Sequence, residues 1–245
     1  MKDKIRAYFG FYCLLHFMPL HSVVPLPDSA VLGLWHLQES APDLLQQLPH
    51  AKTYADLQPL GRDATRTTQW LAGRALVHQL TSSFTTAEPL LQAEPLLQND
   101  ENGRPFFPML PSYAVSLSHS GEWLAAIVAT HGRVGIDIEL IRPKAQKLAS
   151  RFLSEAEWAD AGDETTKYSL YWSAKETLYK LHSRRGLVFK EQILLNPFRL
   201  REAGVLTGHL LLKNFRSQHQ IYYTCPAAGY VLTYCYEDTP LPSPS

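Results

Sequence analysis

The strongest constraint on how this chain folds is a self-similarity at one fixed spacing. Trp70-x-Ala72-x-Arg74-x-Leu76 is echoed 102 residues later by Trp172-x-Ala174-x-Glu176-x-Leu178. At the same offset, Leu32-Gly33-Leu34 lies over Val134-Gly135-Ile136. Two blocks sharing one offset predict two similar halves, each with a strand and a long helix. The patterning around them reads as α+β. Residues 31–37 suit a strand and residues 62–80 a helix, while the Pro-rich, polar stretch 85–111 suits a long loop. Three short strands follow at 113–118, 123–130 and 134–140, with Ser120-Gly121 and His131-Gly132 as turns. A short helix starts near Ser154, a long one runs from Thr166 to Arg184 with Gly186 as its stop, and 193–236 alternates like strands. The expected organisation is an N-terminal extension (1–28), an N-terminal α+β half (29–130) and a C-terminal α+β half (131–245).

Composition removes several classes of function. At 245 residues, 45% hydrophobic and 19% charged, the chain can bury a core without disulfides. Lys and Arg (23) balance Asp and Glu (23), which speaks against a sequence-independent grip on nucleic acid. Cys13, Cys225 and Cys235 are odd in number and form no C-x-x-C, which points to a reducing compartment, the cytoplasm. P-loop, dinucleotide, zincin and nucleophile-elbow motifs are absent. Lys2, Lys4 and Arg6 precede an apolar run from Tyr8 to Leu20. His16 interrupts that run and no small-residue cleavage pattern follows, so it reads as an extension rather than a secretory leader. No stretch reaches the ~18 apolar residues that a membrane span needs.

The halves diverge where chemistry could lie. Trp35 and Leu37 stand opposite Asp137 and Glu139, and Arg74 stands opposite Glu176, so an acidic set occurs once. Strand alternation puts Gly135, Asp137 and Glu139 on one face, with the carboxylates roughly 6–7 Å apart. Their repulsion of about 2–3 kcal/mol would be relieved by a hard divalent cation. A solvated strand face with two ordinary acids is the competing reading. Glu176 and Lys180 share a helix face, and in isolation are equally an i,i+4 ion pair worth ~0.2–0.5 kcal/mol. Lys175 falls in the apolar arc of that helix, so it either snorkels or reaches an anion. Ser118 and His119 at a strand end suit a phosphate-binding corner or a hydrogen-bonded turn. Arg62, Arg66, Arg74 and Arg104 would bind phosphates if they converge. Glu157 completes a Ser154-x-x-Glu157 capping box, which competes with a role as general base.

Taken in order, Gly103-Arg104-Pro105, Ser118-His119-Ser120, Gly135-Ile136-Asp137-Ile138-Glu139 and Trp172-Ser173-x-Lys175-Glu176-x-x-x-Lys180 resemble the Sfp-type branch of the 4′-phosphopantetheinyl transferase superfamily over residues 30–190. Trp70-Leu71-Ala72-Gly73-Arg74 is similar to its siderophore-synthetase-activating subgroup. The resemblance implies that family's fold, two α+β halves forming a pseudo-dimer with coenzyme A in the cleft. It implies magnesium-dependent transfer of the phosphopantetheine arm to a serine of an apo acyl or peptidyl carrier protein, with release of 3′,5′-ADP; manganese is an alternative ion. By family position Asp137, Glu139 and Glu176 hold the metal, Lys180 contacts the phosphates and the leaving group, and Glu157 is the general base. Arg62, Arg66, Thr67, Arg104, Ser118, His119 and Lys175 would contact coenzyme A. A monomer acting in fatty-acid, siderophore or polyketide biosynthesis is expected, with neither nucleic acid nor membrane as partner. Two other readings of the same acids are a metal-dependent phosphohydrolase and an inactive carrier-binding module.

Overall fold

A computed structural model of the chain describes residues 20–27, 29–59, 63–84, 94–183 and 186–238. It separates into two compact units, residues 1–132 and 133–245, with mixed α and β structure in both.

The first unit is built on strands β1 (Leu20–Leu26), β2 (Ala30–His36), β5 (Ala114–Ser120) and β6 (Trp123–Ala129), in the antiparallel order β1-β2-β6-β5. Helices α1 (Ala41–Gln47), α2 (Ala51–Asp56) and α3 (Ala64–Ser82) follow β2, and a two-residue ladder joins β3 (Gln98–Asn99) to β4 (Pro105–Phe106). Asp63 starts α3 by accepting the Arg66 N–H. The apolar face of α3, carrying Leu71, Leu76, Val77 and Leu80, packs with Val31, Trp35, Val115, Leu124, Ala126 and Val128 into one buried cluster. Each such aliphatic side chain contributes about 1.5–3 kcal/mol by leaving water.

Three local expectations need correction here. Leu20–Leu26, assigned to an extension, is an edge strand, a position where Pro25 removes no interior ladder bond. After residue 37 the sequence, with Pro42, suggests a turn, and the structure instead has two short helices, the first opened by a reciprocal Ser40–Asp43 capping box. Within the expected loop, residues 98–106 form the β3–β4 hairpin, while 85–93 lie outside the described residues.

The second unit opens with β7 (Arg133–Leu140), then α4 (Pro143–Leu148), a 3-10 turn (Ala149–Arg151), α5 (Glu155–Ala161), α6 (Thr165–His182) and α7 (Phe189–Gln192). Strands β8 (Ile193–Leu195), β9 (Ala203–Leu212), β10 (Phe215–Thr224) and β11 (Tyr230–Glu237) complete an antiparallel sheet in the order β7-β11-β10-β9-β8. Leu170, Ala174, Leu178 and Leu181 of α6 pack with Leu206, Leu210, Ile221 and Val231 of the sheet. The helix stops at Ser183, which takes the left-handed conformation (φ 54°) and returns its N–H to the Tyr179 carbonyl. Gly186, the expected stop, lies three residues further on.

Each unit repeats one device: a strand glycine beneath its long helix. A Cβ on Gly33 of β2 would fall 2.8 Å from the side chains of Leu76 and Leu80. On Gly135 of β7 it would fall 2.2 Å from the Thr177 carbonyl oxygen and 3.0 Å from the Leu181 nitrogen. The backbone of α6 therefore rests directly on β7. From Val134 to Ile138 every β7 residue is buried, so the acid-bearing face is covered by a helix rather than solvated.

Candidate active site

The contact at Gly135 fixes which residues of β7 and α6 meet. One helical turn before Thr177, the Ser173 hydroxyl donates to the Asp137 carbonyl (3.2 Å) and pairs with Thr233 Oγ1 (2.8 Å). Thr177 Oγ1 is 2.7 Å from the same Thr233 hydroxyl and donates to the Thr233 carbonyl (3.2 Å). Thr233 is the cross-strand neighbour of Asp137 on β11. Three buried hydroxyls thus lock helix and two strands in one register.

On that frame, Lys180 Nζ donates to Asp137 Oδ1 (2.8 Å) and to the Ile136 carbonyl (2.9 Å). Trp172 Nε1 donates to Glu139 Oε1 (3.0 Å). Glu176 lies between Trp172 and Lys180 on the helix. Burial, reinforced by the charges of Asp137 and Glu139 and opposed by Lys180, pushes its carboxyl up to about 7. The charges of Asp137 and Glu139 thus reach Glu176, and these three carboxylates outnumber the lysine beside them. An all-oxygen donor set with that surplus fits a hard divalent cation. Beside Glu176 is a cavity of about 540 Å³ walled by Phe152, Trp172, Tyr179 and Phe189, with Arg151 at its rim. The Trp172 ring lies 5.1 Å from Phe152 and 5.7 Å from Phe189, centroid to centroid.

Two expected site residues are elsewhere. Lys175 is fully buried, and its ammonium donates to the Phe152 carbonyl (2.7 Å), Glu157 Oε2 (2.7 Å) and the Phe189 carbonyl (3.2 Å). Burial pulls its pKa down, against the charge of Glu157. All three protons are engaged, so it does not reach a coenzyme A anion. Glu157, 2% exposed, caps α5 by accepting from the Ser154 N–H (2.8 Å), and its Oε1 accepts the Leu195 N–H (2.8 Å). In this structure it serves as a helix cap and as the counter-ion of Lys175.

The remaining expected residues belong to the first unit. A cavity of about 830 Å³ there is lined by Arg66, Trp70, Arg74, Asn99, Gly103, Ser118 and His119, among others. Arg66 is exposed on the first turn of α3, and Thr67 donates its hydroxyl back to the Asp63 carbonyl (3.4 Å). Arg104 is half-buried beside that cavity's Gly103 wall, and Arg62 lies outside the described residues.

A second titratable cluster escaped sequence reasoning, because its members are spread over β10 and β11. Ligand atoms of His219, Cys235 and Glu237 lie within 4.8 Å of one another. Glu237 pairs with both His219 and the Arg133 guanidinium. Burial pushes the Cys235 thiol far above its usual range, with the Glu237 charge adding to the rise and Arg133 opposing it.

Against this geometry, residues 133–235 match the family model described as the 4′-phosphopantetheinyl transferase superfamily. The second unit is thus similar to that superfamily. The matched stretch runs from the first strand of the second unit to its last and contains all three acids and Lys180. The chain is 35% identical over 124 residues to the 4′-phosphopantetheinyl transferase psf-1 of Bacillus pumilus, covering 49% of this chain and 50% of that protein. It is 34% identical over 123 residues to the 4′-phosphopantetheinyl transferase Sfp of Bacillus subtilis, covering 48% and 52%. The 4′-phosphopantetheinyl transferase AcpT of Escherichia coli is 37% identical over 123 residues, covering 47% and 57%. The chain thus spans about half the length of the curated relatives it matches. Among the described residues, no helix is long and apolar enough to cross a membrane.

Proposed function

We propose that the protein is a 4′-phosphopantetheinyl transferase that moves the phosphopantetheine arm of coenzyme A to a serine of an apo acyl or peptidyl carrier protein. The observation that carries this reading is the Gly135 contact. It brings Asp137 and Glu139 of β7 under Glu176 and Lys180 of α6 inside the superfamily segment. In the reaction the serine oxygen bonds to the β-phosphorus, the bond from that phosphorus to 3′,5′-ADP breaks, and the hydroxyl proton ends in solvent. Such transfers depend on positioning and charge neutralisation more than on covalent help.

The three carboxylates would hold magnesium, or manganese in its place, and the ion when bound would neutralise pyrophosphate charge. Lys180, already oriented by the Ile136 carbonyl, contacts phosphate oxygens and stabilises the leaving group. The aromatic cavity beside Glu176 offers apolar walls to the alkyl segments of the pantetheine arm. The first-unit cavity, with Arg66, Ser118 and His119, suits the nucleotide end, helped by Arg104. The strand-glycine device found in both units supports reading them as duplicated halves of a pseudo-dimer, active as a monomer. Cys225 and Cys235, which form no disulfide, suit a cytoplasmic setting.

The test is a mass measurement. The protein is incubated with coenzyme A, magnesium and apo carriers of the fatty-acid, siderophore and polyketide types. Addition of one phosphopantetheine to at least one carrier is expected, with Asp137→Ala folded but inactive. Phosphate release without a carrier, or no mass gain on any carrier, would remove the proposal.

A further inference from the structure

Arg74 stands opposite Glu176 in the internal repeat, yet it belongs to no acid set and is only 3% exposed on α3. A guanidinium held out of water is costly unless its donors are engaged. Its contacts are directional. Nη1 donates to the Trp70 carbonyl (3.0 Å), and the guanidinium carbon stands 3.2 Å from the centroid of the Trp70 ring. Nη2 donates to Asn99 Oδ1 on β3. Asn99 in turn donates from Nδ2 to the Gly103 carbonyl (2.7 Å).

The loop reached in this way is shaped from within. Asp100 Oδ1 accepts from the N–H groups of Asn102 and Arg104, both at 2.8 Å, and Gly103 takes φ 81°, open to glycine without strain. Those bonds set the shape of the loop, not its place relative to α3. The β3–β4 ladder is two residues long on each side, too short to hold a hairpin firmly. Leu97 and Phe107 hold the base of the hairpin in the core, and the chain of contacts from Arg74 through Asn99 to Gly103 tethers it nearer the tip, where all three residues line the 830 Å³ cavity.

We propose that Arg74 is a positioning residue. Acting through Asn99, it fixes the Asn102–Arg104 loop at the wall of this cavity and so sets affinity for coenzyme A. The link to affinity rests on the functional reading above. The bracing does not. Planarity and fork geometry matter as much as charge, because one guanidinium stacks on Trp70 while bonding two separate acceptors.

Hydrogen exchange on the full chain tests the brace. In Arg74→Met, amides of residues 98–106 are expected to exchange roughly tenfold faster, with β7 and α6 unchanged. Asn99→Asp still accepts from Arg74 but has no donor for the Gly103 carbonyl. It is expected to loosen the same amides, and being exposed it serves should Arg74→Met fail to fold. Arg74→Lys is expected to follow Arg74→Met, whereas full rescue by lysine would leave charge alone as the cause and defeat the idea. In turnover, KM for coenzyme A is expected to rise roughly tenfold, the weight of one charge-assisted hydrogen bond. KM for the carrier and kcat should stay within about twofold. Wild-type exchange at 98–106 in folded Arg74→Met and Asn99→Asp would refute the brace, and a joint change in both KM values and kcat would refute its tie to coenzyme A. If the wild-type protein transfers nothing, the functional reading falls while the exchange data still decide the brace.

Discussion

At the scale of single residues, Glu176 and Lys175 sit side by side and do opposite work. The Glu176 carboxyl is lifted to about 7 by burial and by the neighbouring Asp137, with Lys180 opposing and Glu139 adding to the rise. Because the folded pKa exceeds the ordinary carboxylate value, this group favours the fold at low pH, and that contribution is lost as pH rises through about 7. Metal-free protein should therefore lose thermal stability between pH 5 and 8, while Glu176→Gln should melt higher than wild type at pH 8 and lose activity. Melting curves in chelator at several pH values check both signs. Lys175, by contrast, is a structural cation. Lys175→Met leaves Glu157 charged and buried, which costs about 3–5 kcal/mol by analogy with other broken buried pairs. The double variant with Glu157→Gln should recover part of that loss in urea melts, more than additivity allows. The sequence left both roles of Glu157 open. Its buried surroundings were not legible there, because they are completed by residues as distant as Leu195.

At the scale of elements, the decisive pair is β7 and α6. Alternation along β7 correctly grouped Gly135, Asp137 and Glu139, but it did not tell what covers that face. A glycine inside a strand was the available signal, since such positions often mark a close backbone approach. Gly135→Ala would have to force α6 away from β7, because the added carbon meets backbone rather than a flexible side chain. A loss of about 1–3 kcal/mol or more is expected, as for other overpacked cores. Activity should fall further than stability, since the acids stand on different elements. Comparing kcat with melting temperature for Gly135→Ala and the milder Gly135→Ser separates the two effects. Boundaries were less legible than elements. The end of α6 rests on Ser183 adopting a left-handed conformation that is rare outside glycine and asparagine. Strand β1 was hidden because its apolar residues continue a run that begins at Tyr8.

At the scale of the molecule, each unit has its own apolar cluster on one face of its own sheet. The repeat at 102 residues foreshadowed this pairing of strand glycine and long helix, because packing of that kind tolerates few residue types at the point of contact. What it could not foreshadow was the β3–β4 hairpin or the polar cluster at Glu237, which have no counterpart in the repeated blocks. On the proposed reading, coenzyme A and magnesium together should stabilise the whole chain by about 2.7 kcal/mol at a hundredfold excess over the dissociation constant. Calorimetry with each alone and with both checks this, and Asp137→Ala should abolish the magnesium-dependent part.

The grip of Lys180 on Asp137 bears on that loading. An ammonium already sits where a dication is proposed to arrive, so occupancy is a change of partners rather than the filling of a bare negative hollow. The aspartate would trade a nitrogen for an ion, and the freed lysine would need an acceptor, which the diphosphate brings. Neither newcomer then gains much without the other, and titration of coenzyme A should show strong synergy with magnesium that disappears in Lys180→Met.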